Sequence, residues 1–347
     1  MKRVVLSYLV ITSLVVSVAL ISCSKDDVGT IELGTVQKIL DGYNVRRIAF
    51  DSKGNSWILT QQALIRHNNM ETVVYNSDNF VIPEGFGILD FAIDKNDNVW
   101  IGTSDGVWKF DGKEFTLYNS HNTAMPEDIV WSIAVDSKNN IWMSSCRMRQ
   151  GGLVKYDGTE WTVYTPYNSE LPVNMIHSIA VDQSDNVWLA LGEYVNHSYL
   201  VKISNDKWTV YTEKELGFMP YWWVGIKCDS KNRIWGTISY SFSSNLNLAP
   251  SSPGLFIFDG KKTTILCNGN DIRSGLMTID SNDHAWCFVR VWNGENLTTI
   301  CGVWNGKNWT EIDIAAFGDS NLQTIKEAPD CTMWFGTDNG IYIAETI

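Results

Sequence analysis

The residues that could do chemistry are few, and the most suggestive motif is one that matches the serine nucleophile pattern G-x-S-x-G. It is GTSDG, at Gly102–Gly106. The same stretch recurs as GTDNG at Gly336–Gly340, where Asp338 takes the position of the serine. A nucleophile elbow needs a strand-to-helix turn, whereas both stretches have the pattern of a β-hairpin turn. The motif therefore does not indicate a catalytic serine, and we assign no catalytic residue.

The histidines and acidic residues also lack the spacing of metal ligands. DKNDN, which begins at Asp94, is similar to a calcium loop, but Val99 occupies the position that requires glycine. No C-x-x-C pair is present. The histidines show no zinc spacing and are His67, His121, His177, His197 and His284. We therefore expect no metal and no cofactor.

The amino-terminal 22 residues are predicted to be a signal peptide. Lys2 and Arg3 precede the apolar run VVLSYLVITSLVVSVALI, which ends in LISC at Leu20–Cys23. This ending resembles the lipobox of bacterial lipoproteins, in which the cysteine becomes the acylated amino terminus. The resemblance implies a lipid on Cys23 and attachment to a membrane through it. A retained transmembrane helix is the alternative interpretation.

We accordingly divide the chain into a signal peptide at 1–22, a lipid-anchored linker at 23–34 and a folded domain at 35–347. The SKDD stretch that follows Cys23 resembles the acidic tag of lipoproteins exported to the cell surface. The resemblance implies an outer-membrane lipoprotein that is exposed on the cell surface, with the periplasmic face as the alternative.

The other cysteines are candidates for disulfides, because the predicted extracytoplasmic compartment is oxidising and permits them. Cys287 and Cys301 fall on predicted adjacent strands that the WNGEN hairpin joins, so they could form a disulfide. The remaining four fall in different repeats and are equally consistent with free, buried thiols. They are Cys146, Cys228, Cys267 and Cys331.

Composition excludes two classes of protein. Hydrophobic residues make up 44% of the chain and charged residues 19%, which is typical of a globular protein and not of a disordered one. The formal net charge is −12 and no basic face is visible. Because phosphate backbones require clustered positive charge, nucleic acid is not an expected partner.

A repeat explains most of the 16 tryptophans and sets the positions of the other features. The stretch DSKNNIW, at Asp136–Trp142, has five close copies and one degraded copy, APDCTMW, which ends at Trp334. Consecutive repeat tryptophans are 42 to 51 residues apart. They are Trp57, Trp100, Trp142, Trp188, Trp235, Trp286 and Trp334. Short strands and turns repeated at this period predict a β-propeller.

Each repeat is predicted to be one four-stranded antiparallel blade. In the third repeat the strands are WSIAV, IWMSS, GLVKY and EWTVY. The Asp is interpreted as a turn cap, and the Trp is expected to pack between blades. The last repeat has only three strands, so we expect the segment TIELGTVQKIL before the first blade to complete it and close the ring. The predicted fold is all-β, a seven-bladed propeller.

The stretch IAVDSKNNIWMSS…GLVKYDGTEWTVY, followed by YNSELPVNMIHSIAVD, resembles the two-component regulator propeller repeat. The resemblance covers nearly all of residues 36–347. It implies an extracytoplasmic, ligand-sensing propeller. Full regulators add a membrane-spanning helix, a kinase and a receiver after the propeller. None follows the repeats here, so we expect a stand-alone binding domain that does not signal by itself.

The two faces of such a propeller carry different loops. Turns of the DSKNN and DGK kind are short and uniform and lie on one face, whereas the loops on the opposite face vary, and variable loops on a rigid scaffold commonly carry function. The aromatic residues outside the repeat columns fall on this variable-loop face. They are Trp131, Trp222, Trp223, Trp292, Tyr194, Tyr221 and Tyr240. They are predicted either to stack on sugar rings or to anchor the loops.

The first strands should meet at a central channel, whose mouth on the variable-loop face is formed where these strands begin. The residues at that position are Arg46, Leu89, Trp131, His177, Val224, Gly275 and Gln323, with Arg47 and Asp90 beside them. We expect Arg46, Asp90 and His177 to be polar contacts for a ligand. The alternative is that these side chains are polar only because the channel mouth is hydrated.

Together these features predict a lipid-anchored propeller that binds a glycan or another small polar ligand without catalysis. One alternative is a lyase or hydrolase of a polysaccharide or cyclic peptide, since related propellers include such enzymes. A second alternative is a protein–protein scaffold in an outer-membrane complex, which would present an exposed apolar patch.

Overall fold

The computed structural model describes residues 30–31, 33–60, 63–76, 87–147, 150–193, 198–220, 223–238, 253–268, 272–292, 297–318 and 320–345. Its strands form seven sheets that each contain four antiparallel strands. The first strands of neighbouring sheets contact one another all the way round, the seventh with the first included. The sheets therefore close into a ring, and the predicted seven-bladed, all-β propeller is confirmed.

The strands of each blade run outward from the centre of the ring, and six blades follow the order of the chain. Blade 1 has Val45–Phe50, Ser56–Thr60, Leu64–His67 and Thr72–Tyr75; blade 2 has Ile88–Ile93, Val99–Thr103, Gly106–Phe110 and Phe115–Tyr118; blade 3 has Val130–Val135, Ile141–Arg147, Gln150–Tyr156 and Trp161–Tyr164. Blade 4 has Ile176–Val181, Val187–Gly192, Ser198–Ser204 and Lys207–Tyr211; blade 5 has Trp223–Cys228, Ile234–Ile238, Pro253–Phe258 and Thr263–Asn268; blade 6 has Ile272–Ile279, Ala285–Trp292, Leu297–Trp304 and Trp309–Ile312.

Blade 7 closes the ring as the sequence predicts. Its first three strands are Leu322–Glu327, Met333–Thr337 and Gly340–Ala344, and its outermost strand is the amino-terminal Val36–Ile39, antiparallel to the third. The predicted closing segment also reaches a second blade, because Thr30–Ile31 pairs in parallel with the outer edge of blade 6. One amino-terminal segment therefore covers the outer edges of two neighbouring blades.

Helical structure in the described residues is limited to two short elements between blades. The α-helix Glu213–Leu216 follows blade 4 and is fixed by a capping box. In this box, the hydroxyl of Thr212 accepts from the backbone N–H of Lys214, and Glu215 accepts from the N–H of Thr212. A single 3-10 turn, Ala315–Phe317, follows blade 6.

A side-chain hydrogen bond explains why the sequence repeats Asp and Trp six residues apart. Asp136 Oδ1 accepts from the backbone N–H of Lys138 at 3.0 Å and of Asn140 at 2.8 Å, and its Oδ2 accepts the indole N–H of Trp142 at 3.0 Å. One buried carboxylate thus caps the turn and also fixes the tryptophan. The same indole bond joins Trp57 to Asp51, Trp100 to Asp94, Trp188 to Asp182, Trp235 to Asp229 and Trp286 to Asp280.

The repeat tryptophans also pack between blades, as expected. Trp57 of blade 1 meets Phe110 of blade 2 edge-on, with ring centroids 5.8 Å apart. Trp286 of blade 6 meets Phe335 of blade 7 in the same way at 6.2 Å. Such pairs contribute roughly 0.5–1.5 kcal/mol beyond the area that they bury, so the tryptophans join each blade to the next.

The uniform turns are linked to one another around their face, except at the seam of the ring. Ser52 donates its N–H and hydroxyl to Asp97 in the turn of the next blade, at 2.9 and 2.8 Å. Between blades 7 and 1, the donor position is Pro329, which has no N–H, and the acceptor position is Gly54, which has no side chain. This turn-to-turn bond cannot form there, and the contacts between blades 7 and 1 include the edge-on packing of Phe50 against Trp334.

No helix among the described residues is long and apolar enough to cross a membrane. The predicted signal peptide and Cys23 lie outside the described residues.

Candidate functional site

A cavity of about 400 Å³ lies at the centre of the ring and is lined by the first strands of all seven blades. At the mouth on the variable-loop side it is lined by Trp131, His177 and Val224. Further along the strands, toward the uniform turns, it is lined by Lys227 and Lys326. The cavity is therefore the channel that the sequence predicts, and its two ends carry different chemistry.

A β-bulge near the start of each first strand sets the direction of the mouth residues. In blade 3 the pairing register shifts between Val130 and Ile133, and the other six blades have a shift at the equivalent place. A bulge leaves one residue out of the ladder and redirects its side chain. In blade 3 the bulge lies between Val130 and Ile133 and therefore includes Trp131.

Trp131 is an exposed aromatic side chain that is held rigidly by its own blade. Its backbone N–H donates to Ser144 Oγ at 3.1 Å, and its indole Nε1–H donates to the carbonyl oxygen of Cys146 at 3.2 Å. The side chain is nevertheless 45% exposed. Because the polar N–H is already satisfied, the exposed surface is the flat ring, which is suited to stacking against an apolar face of a ligand.

His177, on the neighbouring blade, also lines the mouth and is half-buried. Its Nε2 lies 3.0 Å from the carbonyl oxygen of Gly192. Burial lowers the pKa of His177 below its ordinary value of 6.5, and the hydrogen bond to Gly192 partly opposes this. The imidazole is therefore neutral at pH 7, with Nε2–H as the donor to Gly192, and offers polar contact to a ligand without a positive charge.

Of the polar residues predicted on blades 1 and 2, Arg47 and Asp90 line the cavity and Arg46 does not. Arg46 is exposed, and its Nη1 donates to Gln323 Oε1 on blade 7 at 3.4 Å. Arg47 Nε lies 3.6 Å from Asp90 Oδ1, and Asp90 Oδ2 accepts the backbone N–H of Ile133 at 3.1 Å. Both oxygens of Asp90 thus have partners, whereas Arg46 keeps donors directed to solvent.

Asp90 belongs to a set of side chains that join the first strands of adjacent blades. Ser132 Oγ accepts the N–H of Ile179 at 3.1 Å, and Ser178 Oγ accepts the N–H of Ile226 at 3.2 Å, each from the next blade. These are the positions equivalent to Asp90 in blades 3 and 4. The carboxylate of Asp90 therefore holds blade 2 against blade 3 while it lines the cavity, and its contact with a ligand stays a prediction.

The prediction that Trp223 is a stacking group is wrong. Its side chain is only 2% exposed, its Nε1–H donates to the carbonyl oxygen of Leu191 at 3.1 Å, and its ring packs against Phe256. Trp223 precedes the bulge of its strand by one residue, so it points into the core between blades 4 and 5. It anchors the blade and does not face the mouth.

Several predicted site residues cannot be placed. Tyr194, Tyr221, Trp222 and Tyr240 lie outside the described residues. Trp292 ends the second strand of blade 6, but its side chain is outside the described part. Their proposed ligand contacts stay predictions.

Cys287 and Cys301 do not form the disulfide that the hairpin suggested, and neither sulfur is part of any disulfide. In the ladder between their strands, Cys287 is opposite Gly302 and Cys301 is opposite Phe288. The two cysteines are therefore one residue out of register and project to opposite faces of the blade. They belong to different core clusters, one on each side of the sheet.

Thiols near the channel are not poised for nucleophilic chemistry. Burial raises the pKa of Cys146, whose carbonyl holds Trp131, to about 11. Burial raises the pKa of Cys228, which lines the channel, to about 12. Both thiols are protonated at neutral pH, and the thiolate is the reactive form.

Sequence reasoning missed the two lysines in the channel, Lys227 and Lys326. They stand where blades 1 to 4 have Ala49, Ala92, Ala134 and Ala180, opposite the repeat tryptophan of their own blade. The signal was the interruption of this alanine column in blades 5 to 7.

Neither a protein-family model nor a curated protein matches the sequence. Solved structures do match over nearly the whole chain. The extracellular domain of a B. thetaiotaomicron protein assigned to the hybrid two component systems superimposes with a TM-score of 0.63 and 18% identity, over 90% of this chain and 41% of that one. The likeness is one of fold. The chain spans about two fifths of the length of that domain.

Two functionally different proteins share the same fold. Virginiamycin B lyase from Staphylococcus aureus, determined with quinupristin, matches with a TM-score of 0.64 and 14% identity, over 90% of this chain and 99% of the lyase. YCF48 bound to D1 peptide matches with a TM-score of 0.62 and 10% identity, over 92% of this chain and 98% of YCF48. An extracellular domain of a two component system, a lyase and a protein bound to a peptide thus use one scaffold, so function must be inferred from the site.

Proposed function

We propose that this propeller is a non-catalytic binding module that takes a glycan or another small polar ligand at the channel mouth on the variable-loop face. The observation that carries the proposal is Trp131, an indole with its N–H satisfied by Cys146 and its ring 45% exposed at a polar cavity. The exposed part of the Trp131 ring makes no packing contact within the fold. A ligand that covers it gains apolar contact without ordering the side chain anew.

The surroundings of Trp131 suit a ligand with one apolar face and several hydroxyl groups. Arg46 supplies donors directed to solvent, and His177 supplies a neutral imidazole. A pyranose ring has this combination, because its C–H face stacks on an aromatic ring while its hydroxyls bond to polar groups at the rim. The cavity of about 400 Å³ is within the range of small-ligand sites.

The proposal is tested with residues 24–347, which include every described residue. A glycan array identifies ligands, and calorimetry then compares the intact domain with Trp131→Ala. We expect the substitution to weaken binding by at least about tenfold, as loss of a central aromatic contact does. Tyr167→Ala is the matched control, since Tyr167 is 96% exposed and does not line the cavity. Unchanged affinity in Trp131→Ala, or no glycan bound at all, would sink the proposal.

A lyase activity is the second candidate, and the likeness to virginiamycin B lyase together with His177 in the cavity favours testing it. Incubation of the domain with polysaccharides and with a cyclic depsipeptide, followed by mass spectrometry, distinguishes the two functions. Turnover that is abolished in His177→Ala would favour the lyase.

A scaffold role in an outer-membrane complex has less support. Among the described residues, the exposed large apolar side chains are only Met70, Trp131 and Tyr167. These three side chains do not make a continuous apolar rim in the described part of the chain.

We further propose that a lipid on Cys23 tethers the domain to the outer membrane and that the propeller faces the cell exterior. The lipobox-like LISC and the acidic SKDD stretch support this assignment. Metabolic labelling with an alkyne fatty acid should mark the full-length chain and not Cys23→Ala. Protease added to intact cells should remove the domain if it faces outward and spare it if it faces the periplasm.

A further inference from the structure

The end of the channel near the uniform turns carries positive charge in an otherwise acidic protein. Lys227 of blade 5 and Lys326 of blade 7 line it, and Thr278 of blade 6 lies between them in the ring. All three are opposite the repeat tryptophan of their blade, which fixes them at one level of the channel. The equivalent residues of blades 1 to 4 are alanines, so this half of the ring departs from the repeat.

This level is separate from the mouth that holds Trp131. On each first strand the lysine or threonine lies three residues beyond the mouth position. A strand rises by about 3.3 Å per residue, which places the lysines about 10 Å from the mouth. The two ends of the channel can therefore be altered independently.

The charges of the two lysines are not neutralised within the part of the chain that the structure describes, where neither forms an ion pair. Glu327, next to Lys326 in sequence, accepts both the N–H and the hydroxyl of Ser281 at 2.7 and 2.8 Å. Asp229, the nearest carboxylate to Lys227 in sequence, is paired with Arg233 and accepts the indole N–H of Trp235. The one carboxylate that lines the cavity, Asp90, is paired with Arg47. The cavity lining thus holds three cationic side chains and one carboxylate.

The electrostatics of Lys326 agree with this excess. Burial and the charge of Lys227 lower the pKa of Lys326, and Glu327 only partly opposes them. The effect of Lys227 requires the two ammonium groups to be within electrostatic reach of each other. Two like charges held together in a cavity are stabilised when a negatively charged group lies between them.

We propose that the turn-side end of the channel binds a small oxyanion, held between the ammonium groups of Lys227 and Lys326 with a hydrogen bond from the hydroxyl of Thr278. Ammonium groups are point donors that bind carboxylate, sulfate and phosphate oxygens through charge-assisted bonds. The hydroxyl of Thr278 makes no hydrogen bond to another described residue and is buried beside them, so it can donate to the same anion. The proposal does not depend on glycan binding at the mouth.

The test uses calorimetry of residues 24–347 with inorganic phosphate, sulfate and acetate, with sodium chloride added to hold the ionic strength constant. We expect at least one of the three oxyanions to bind saturably below about 10 mM. Lys227→Met and Lys326→Met should each weaken that binding by at least about tenfold, which corresponds to the loss of one charge-assisted bond. The anion that binds most tightly distinguishes a carboxylate ligand from a tetrahedral one.

Lys138→Met is the matched control, because Lys138 is an exposed lysine on the uniform-turn face that does not line the cavity. The affinity of the Lys138→Met variant for the oxyanion should stay within about twofold of that of the intact domain. Lys227 is exposed, so its substitution should not disturb folding even if Lys326→Met does. Trp131→Ala should leave oxyanion binding unchanged, which keeps this test distinct from that of the mouth. No saturable binding, or equal weakening in Lys138→Met, would overturn the proposal.

Discussion

The indole N–H of Trp131 and the carbonyl oxygen of Cys146 are 3.2 Å apart, in a blade where the tryptophan ring is exposed and the cysteine is buried. The acceptor lies on the second strand and the donor on the bulge of the first. The bond therefore ties an exposed aromatic ring to the rigid interior of blade 3. Its orientation at the channel mouth is set before any ligand arrives.

Ser144 should be a positioning residue for this ring. Its hydroxyl accepts the backbone N–H groups of Trp131 and Ser132 at 3.1 and 3.0 Å. Ser144→Ala leaves both groups without this acceptor, and we expect a loss of about 1–3 kcal/mol in the free energy of unfolding, together with weaker binding at the mouth. Urea unfolding measures the first effect. The control is Ser204→Ala, because Ser204 makes no side-chain hydrogen bond among the described residues; an equal loss there would contradict the assignment.

The repeat aspartates should dominate the stability of the blades. Asp136→Ala removes the acceptor of two turn N–H groups, of Asn140 Nδ2 and of the buried indole of Trp142. We expect a loss of about 3 kcal/mol or more in the free energy of unfolding.

Blade 7 supplies the control for that measurement. There Ala328 replaces the aspartate, Trp334 donates to Thr332 Oγ1 at 3.1 Å, and Asp330 bonds only to the N–H and hydroxyl of Thr332. Asp330→Ala should therefore cost about 1 kcal/mol or less. Similar losses for the two substitutions would show that the indole bond contributes little.

The amino-terminal strand should be required for a closed ring. A chain that begins at Asp41 lacks Val36–Ile39, so the third strand of blade 7 becomes an open edge beside a seam with no turn-to-turn bond. We expect loss of several kcal/mol and a tendency to associate. A chain that begins at Leu33 keeps this strand and the packing of Leu33 but loses Thr30–Ile31, and it should stay within about 1 kcal/mol of the longer chain. Equal thermal midpoints for both truncations would argue against this mechanism of closure.

His177 should make stability depend on pH. Its folded-state pKa is lowered by burial, so the folded protein favours the neutral imidazole. The contribution of this group is fully present above the unfolded pKa of about 6.5 and is lost as the pH falls from there toward the lower folded pKa. Urea unfolding at pH 7.5, 6.5 and 5.5 should show a decline that is smaller in His177→Gln. An identical decline in the two proteins would place the titration elsewhere.

Cys287 and Cys301 should react as two separate thiols. Because they project to opposite faces of blade 6, unfolding in the presence of iodoacetamide without reductant should alkylate both, as mass spectrometry of their peptides can show. Reductant should not change the unfolding midpoint. A disulfide-linked peptide would mean that the register between these strands is shifted by one residue.

The sequence alone determined the number of blades, their strand order and the closing role of the amino-terminal segment. These are visible because their cause is local and repeated. An aspartate that caps its own turn and bonds an indole six residues later leaves a fixed spacing in every copy, as Asp136 and Trp142 show. The last repeat has only three strands in sequence, which likewise indicates that its fourth strand comes from elsewhere in the chain.

Only the tertiary structure decided which side chains face the channel. Trp131 and Trp223 both begin a first strand in sequence, yet one is exposed at a bulge and the other, one position earlier, is buried. A one-residue offset reverses the face that a strand residue occupies, and the same offset separates Cys287 from Cys301. Lys227 and Lys326 are about 100 residues apart in sequence and become neighbours only because ring closure brings blades 5 and 7 to one axis.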